Sequence, residues 1–248
     1  ARMMRAQQVV LSDYDEAELI TRLKVNVKTN TLHCMTKTSG VGHIWGQDVS
    51  DLLDILLPTP HSPPSDLPLK FDVVLLADCL WDRLSHAALL KTLGATLARS
   101  KNARVYVASG LHTGRETLVE FVGRARRVGF CVRPWLECEE EGGFRVVDAD
   151  EEGEEEWTKH FLEVRLTSID AEPEPAEKDA GDSNTLIARG PRMTTHTRPF
   201  VMEERPEERK EVGGVQERNK WMTFWSLGWK DEVVSPVRVA ERSFIPAA

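Results

Sequence analysis

The sequence predicts an α/β fold built on a parallel sheet, and three observations carry that prediction. Short apolar runs alternate with helix-patterned stretches from Val9 to about Phe130, the order expected when parallel strands are joined by helical crossovers. The run Phe71–Trp81, FDVVLLADCLW, holds Val73, Val74, Leu75 and Leu76 in succession and reads as a strand buried on both faces. After Phe130 the alternation stops, and the late segment NKWMTFWSLGWK reads as a closing strand with no helix before it.

The elements follow in order. Val9, Val10 and Leu11 form a short buried strand ending at Ser12-Asp13. Asp15 to Asn30 carries helical spacing in Leu19, Ile20, Leu23 and Val27; Asp15 and Glu18 stand at capping-box separation, and Lys28 suits the C-terminal turn. Thr31 to Gly40 is polar and ambiguous, whereas Val41 to Gly46 alternates enough for a third strand leading into a turn. Asp48 to Leu57 is Leu-rich and predicts a helix, and five prolines between Pro58 and Pro68 predict a loop. Phe71–Trp81 follows as the central strand.

Leu84-Ser85 opens the next helix, with Ser85 as a cap and Leu84 and Leu89 at hydrophobic-staple spacing. Leu90, Leu93 and Leu97 share one face. Arg104 to Ser109 is the next strand. Thr113 and Glu116 make a second capping box before a helix striped by Leu118, Phe121, Val122 and Ala125, which Gly129 stops. Cys131–Cys138 and Trp157–Thr167 have strand character; residues 139–156 are an acidic stretch, and 169–199 read as a disordered insertion. The spacing of Trp221, Trp225 and Trp229 also fits a helix, but alternating bulk favours a strand, which suggests an antiparallel hairpin at the sheet edge. The expectation is one domain over residues 1–230 and a tail over 231–248.

Composition narrows the function. With 248 residues, 41% of them apolar, the chain suffices for one sizeable core. The net charge of −8 is local: residues 137–156 hold eleven acids and one Arg. No Lys/Arg block marks a nucleic-acid partner. Cys34, Cys79, Cys131 and Cys138 show neither a CxxC pair nor metal-ligand spacing, so they read as core thiols in a reducing, cytoplasmic setting. No run approaches the roughly 20 apolar residues of a membrane span, and no signal-peptide pattern opens the chain. The first residue is Ala, and helix-like residues precede the first strand; the expectation is a chain lacking its natural N-terminal part.

Ligands of open parallel sheets sit at the carboxyl ends of strands, which directs attention to four places. Asp13 could accept both hydroxyls of a ribose, or simply stabilise the following helix N-terminus. Trp45, in a Gly-flanked turn, could stack on an adenine or cover a core edge. Asp78 could attract or orient an amine with Trp81 as an apolar wall or cation-binding face; both could equally be a turn cap and a core aromatic. His112 could act as a base or be merely solvated. No GxSxG elbow is present, so a hydrolase is rejected.

Taken together, VVLSDYDEAELITRL, GHIWGQD, FDVVLLADCLWDRLSHAALLKTL and ERNKWMTFWSLGW resemble the nicotinamide-N-methyltransferase-like protein methyltransferases, lysine methyltransferase family 16 relatives. The resemblance covers most of residues 7–135 and about 215–230. It implies a Rossmann-like, seven-strand sheet with helices on both faces, an antiparallel last strand, and a first strand missing from this chain. It implies S-adenosylmethionine as cofactor, with Asp13 on its ribose, Trp45 by its adenine and Ala77 lining its pocket. Asp78 and Trp81 match the family's acid-x-x-aromatic segment near the acceptor amine, with Trp in place of the usual Tyr or Phe. The implied function is N-methylation of a protein N-terminus or lysine, as on translation elongation factor 1-alpha, by a monomer without metal, nucleic-acid or membrane partners. Two readings compete: a truncated, inactive protein-binding module of the same fold, and a nucleotide-dependent oxidoreductase with a GxGxxG outside this chain.

Overall fold

A computed structural model describes residues 6–31, 36–56, 69–133, 156–168 and 193–234. The Pro-rich loop, nearly all of the acidic stretch, the expected insertion up to residue 192 and the tail beyond residue 234 lie outside the described residues. The ordered elements are β1 (Gln8–Asp13), α1 (Ala17–Asn30), β2 (Lys37–Gly42), α2 (Ser50–Leu53), β3 (Val73–Ala77), α3 (His86–Thr96), β4 (Arg104–Gly110), α4 (Arg115–Arg127), β5 (Phe130–Arg133), β6 (Leu162–Ser168), β7 (Met193–Pro199), α5 (Gly214–Arg218) and β8 (Met222–Trp229). The class is mixed α/β, compatible with a Rossmann-like domain. Among the described residues, eight strands form two hydrogen-bonded sheets.

The smaller sheet is the parallel pair β1–β2, with Asp13 opposite Gly42. The larger runs β3-β4-β8-β6-β7, with β5 also on β8. β3 and β4 are parallel, with Ala77 opposite Ala108; β8 is antiparallel to β4, β5 and β6. The expected closing strand is therefore antiparallel but lies inside the sheet. The hairpin at the edge is β6–β7, and Met193–Pro199 is a strand where an insertion was expected.

Strand alternation builds the core. Leu76, Val105, Val107, Trp225 and Leu227 point to one face, where they pack with Leu89, Leu93, Leu118 and Phe121 of α3 and α4. Full burial of each such side chain contributes about 1.5–3 kcal/mol. Trp225 stacks on Phe161 at 4.4 Å between ring centroids, and Trp229 on Phe130 at 4.2 Å. The predicted α4 stripe is buried throughout, and Gly129 ends the helix with φ 93°.

Several local expectations are corrected. β3 is not buried on both faces: Leu76 is buried, but Val73, Leu75 and Ala77 are exposed, Leu75 by 72%. Among the described residues only the Val74/Leu76 face is covered, by α3 and α4. β1 is likewise half-buried at most, and its Leu11 is exposed. The third strand comes earlier than expected, at Lys37–Gly42, because its register against β1 ends at Gly42; His43–Gly46 is the turn. The Leu-rich helix narrows to Ser50–Leu53. Trp157 falls in a 3-10 turn before β6.

None of the capping motifs forms. α1, α3 and α4 begin after Glu16, Ser85 and Gly114 without a side-chain cap. The Ser85 hydroxyl donates to Asp82 instead, and Leu84, 91% exposed, staples nothing.

Candidate functional site

The tips of β1, β3 and β4 supply the candidate site. Asp13 ends β1 with an exposed side chain whose Oδ1 accepts the Tyr14 amide at 2.7 Å. Its carbonyl accepts the His43 amide at 2.9 Å, starting the turn after β2. Gly42, opposite Asp13, lies beneath the Asp15 side chain, which leaves no space for a Cβ.

The turn carrying Trp45 is fastened to α3. Nδ1 of buried His43 lies 3.0 Å from Asp51 Oδ2, and Nε2 lies 3.2 Å from Thr92 Oγ1. The Thr92 hydroxyl also accepts the Gly46 amide at 2.8 Å. One proton arrangement satisfies every group: Nδ1–H donates to Asp51, Thr92 donates to Nε2, and Gly46 donates to Thr92. Lys91 Nζ donates to the Gly46 carbonyl at 2.6 Å. Gly46 has φ 82°, and a methyl group there would sit 3.0 Å from the Ala88 Cβ, so glycine is required twice over. Trp45 packs, half-buried, against the main core.

At the tip of β3, Ala77 is exposed and Asp78 holds φ 54°, a left-handed conformation costly for a side-chain-bearing residue. Two hydrogen bonds hold it. Its amide donates to the Ala108 carbonyl at 2.7 Å, and its Oδ1 accepts the Gly110 amide at 3.0 Å. Burial raises the Cys79 thiol above its ordinary pKa, and the negative charges of Asp78 and Asp13 raise it further. Trp81 is 59% exposed beyond this turn. Asp82 accepts the Ser85 hydroxyl and the Leu84 amide, which hold its carboxyl below the usual range.

Behind the β4 tip lies a buried ionic cluster. Arg115, the first residue of α4, meets Glu163 of β6 and Glu208, whose side chains are fully buried. Arg198 of β7 reaches the same two carboxylates, at 2.6 Å each, and lies 3.7 Å over the Trp221 ring. Burial by itself would lower the Arg115 pKa, but its hydrogen bonds to Glu163 and Glu208 outweigh that and leave it above its ordinary value. Burial raises the Glu208 carboxyl; Arg115 and then Arg198 more than reverse this and leave it below its ordinary value.

The structure thus sets Asp13, Ala77 and Asp78 at the ends of β1 and β3. Trp45 sits on a turn docked to the helix that follows Asp78, and Trp81 is on the surface rather than in the core. His43, Thr92 and Arg115 escaped sequence reasoning because their partners are remote in the chain. No spacing rule links His43 to Thr92 or Arg115 to Glu208. Among the described residues, no group of His, Cys, Asp or Glu could hold a metal ion, and no helix is long and apolar enough to cross a membrane.

No family model matches the chain. It is similar to proteins named protein N-terminal and lysine N-methyltransferase EFM7. Over 138 residues it is 30% identical to the one from Gibberella zeae, covering 52% of this chain and 51% of that protein. Over 96 residues it is 33% identical to the one from Cryptococcus neoformans, covering 38% and 29%. Over 102 residues it is 30% identical to the one from Schizosaccharomyces pombe, covering 41% and 37%. The matches span at most about half the length of these relatives.

Proposed function

We propose that this chain carries the nucleoside-binding and acceptor walls of an S-adenosylmethionine-dependent protein N-methyltransferase. The observation that bears most weight is the placement of Asp13 at the end of β1 and of Asp78 directly after β3, at the carboxyl ends of strands in parallel pairs, where open sheets bind ligands. The similarity to the EFM7 methyltransferases supports the same reading.

The residues suit the donor. The exposed Asp13 carboxylate spends one oxygen on Tyr14 and keeps the other for ribose hydroxyls. Trp45 offers an indole face held still by the His43–Thr92 network. Exposed Ala77 leaves room beside the β3 tip. When bound, S-adenosylmethionine supplies a methyl group on a positively charged sulfur. Asp78 and Trp81 align the acceptor: the carboxylate attracts and orients a protein amine, and the exposed indole gives its carbon chain an apolar wall. Alignment is the main contribution the protein makes to such a reaction. The proposed acceptor is an N-terminal amine or neighbouring lysine of a cytoplasmic protein, translation elongation factor 1-alpha being the first to test.

A second reading has its own observation. The edge of β3 away from β4 has no strand partner among the described residues, and exposed Val73 and Leu75 lie beside it. An open apolar edge recruits another strand, as a protein-binding module of this fold would. The test is transfer of labelled methyl to elongation factor 1-alpha. Labelling that falls at least tenfold in Asp78→Ala supports the enzyme; no labelling by the parent chain favours the module.

A further inference from the structure

We propose that His112 takes the proton from the acceptor amine, working opposite Asp78 across Gly110; this rests on the methyltransferase reading. Gly110 ends β4, and its amide is the donor that holds Asp78. A methyl group at Gly110 would sit 2.6 Å from Nδ1 of His112 and 3.4 Å from Oδ1 of Asp78. The imidazole and the carboxylate therefore crowd the same small residue from two strand tips, and any side chain there would push the imidazole away.

The loop bearing His112 is fixed at both ends. Before it, the Ser109 carbonyl accepts the Thr223 hydroxyl at 3.1 Å, and the Leu111 amide donates to the Trp221 carbonyl at 3.2 Å. After it, the Gly114 amide closes onto the Leu111 carbonyl at 2.9 Å, and Arg115 enters the buried ionic cluster. A half-buried imidazole on so constrained a loop is placed rather than merely solvated.

The chemistry requires such a pair. A protein amine arrives as an ammonium, which has no electron pair to offer. Asp78 draws the ammonium in, and His112 accepts one N–H proton, becoming imidazolium and leaving a neutral amine. The nitrogen pair then forms the new N–C bond as the C–S bond breaks, and that bond's electrons stay on sulfur. Two positive charges enter; a neutral thioether, a methylammonium and one proton leave, the last through His112 to water. Imidazole suits this task because its ordinary pKa lies near neutrality.

Two readouts test the proposal. The first needs no turnover: carbethoxylation of His112 by diethyl pyrocarbonate, followed by mass spectrometry, with exposed His196 as internal control. A peptide with a free N-terminal glycine and an adjacent lysine should slow modification of His112 severalfold and leave His196 unchanged, while the fully acetylated peptide should protect neither. The second is methyl transfer by the full chain. His112→Ala and His112→Gln should lower kcat about 100-fold with little change in KM, and added imidazole should restore His112→Ala at least tenfold. Variants within twofold of the parent, or equal protection by the acetylated peptide, would overturn the assignment. A parent chain that transfers no methyl instead overturns the methyltransferase reading, and the footprint then decides whether His112 meets the amine.

Discussion

Asp13 closes β1, Asp78 follows β3, and the Cys79 thiol comes next in the chain. Burial holds the Cys79 pKa up, and the charges of Asp78 and Asp13 raise it further, so its reactivity tests the proposed nearness of the two carboxylates. Asp13→Asn removes one negative charge, so more thiolate forms at pH 8, and alkylation of Cys79 by iodoacetamide should quicken about two- to fivefold, an effect weakened by salt. Site-resolved mass spectrometry checks this; an unchanged rate would mean that Asp13 lies too far from the β3 tip to share a site with it. That Asp13 ends one strand and Ala77 another was legible in the sequence, because each closes a short apolar run. The left-handed backbone of Asp78 was not, since the hydrogen bonds that pin it come from Ala108 and Gly110 on the next strand.

At the scale of elements, the ionic cluster joins α4, β6, β7 and the turn at Pro206–Glu208 behind the loop that bears His112. Arg115→Met leaves Glu163 and Glu208 buried with too few cations and should cost about 3–5 kcal/mol, read by denaturant unfolding. The pH dependence follows from Glu208. Its folded pKa lies below the ordinary value of 4.5, so its contribution is present above that pH and fades as pH falls through the lower folded value. Unfolding free energy should therefore drop between pH 5 and pH 3, and more steeply in the parent than in Glu208→Gln. Equal slopes would show that Glu208 does not carry this dependence. The order of strands and helices up to β5 could be read from periodicity. The capping motifs misled: Ser85 prefers Asp82, Glu116 prefers Arg83, and Asp15 lies against Gly42.

For the whole molecule, the informative error concerns β3. Four consecutive apolar residues promised burial on both faces, yet Leu75 is 72% exposed and, among the described residues, β3 pairs with β4 alone. The apolar run reads as the requirement of a strand with neighbours on all sides, while the described residues cover one face and pair one edge. The same bareness at Leu11 of β1 gives both sheets an exposed apolar strand beside the proposed site. Local pattern can announce that a strand is central, but only assembled coordinates reveal which neighbours it has. The turns beside the proposed site are nevertheless fixed: the Trp45 turn is tied to α3 through Thr92, and the Asp78 turn is tied to β4 through Gly110.

The central claim, that one donor site is formed by tips from both sheets, meets its most direct test in calorimetric titration of the full chain with S-adenosylmethionine, alongside Asp13→Ala. The account predicts saturable one-to-one binding by the parent and at least a tenfold loss of affinity in the variant. Binding by both with equal affinity would contradict the role given to Asp13, and no heat from either would contradict the site itself.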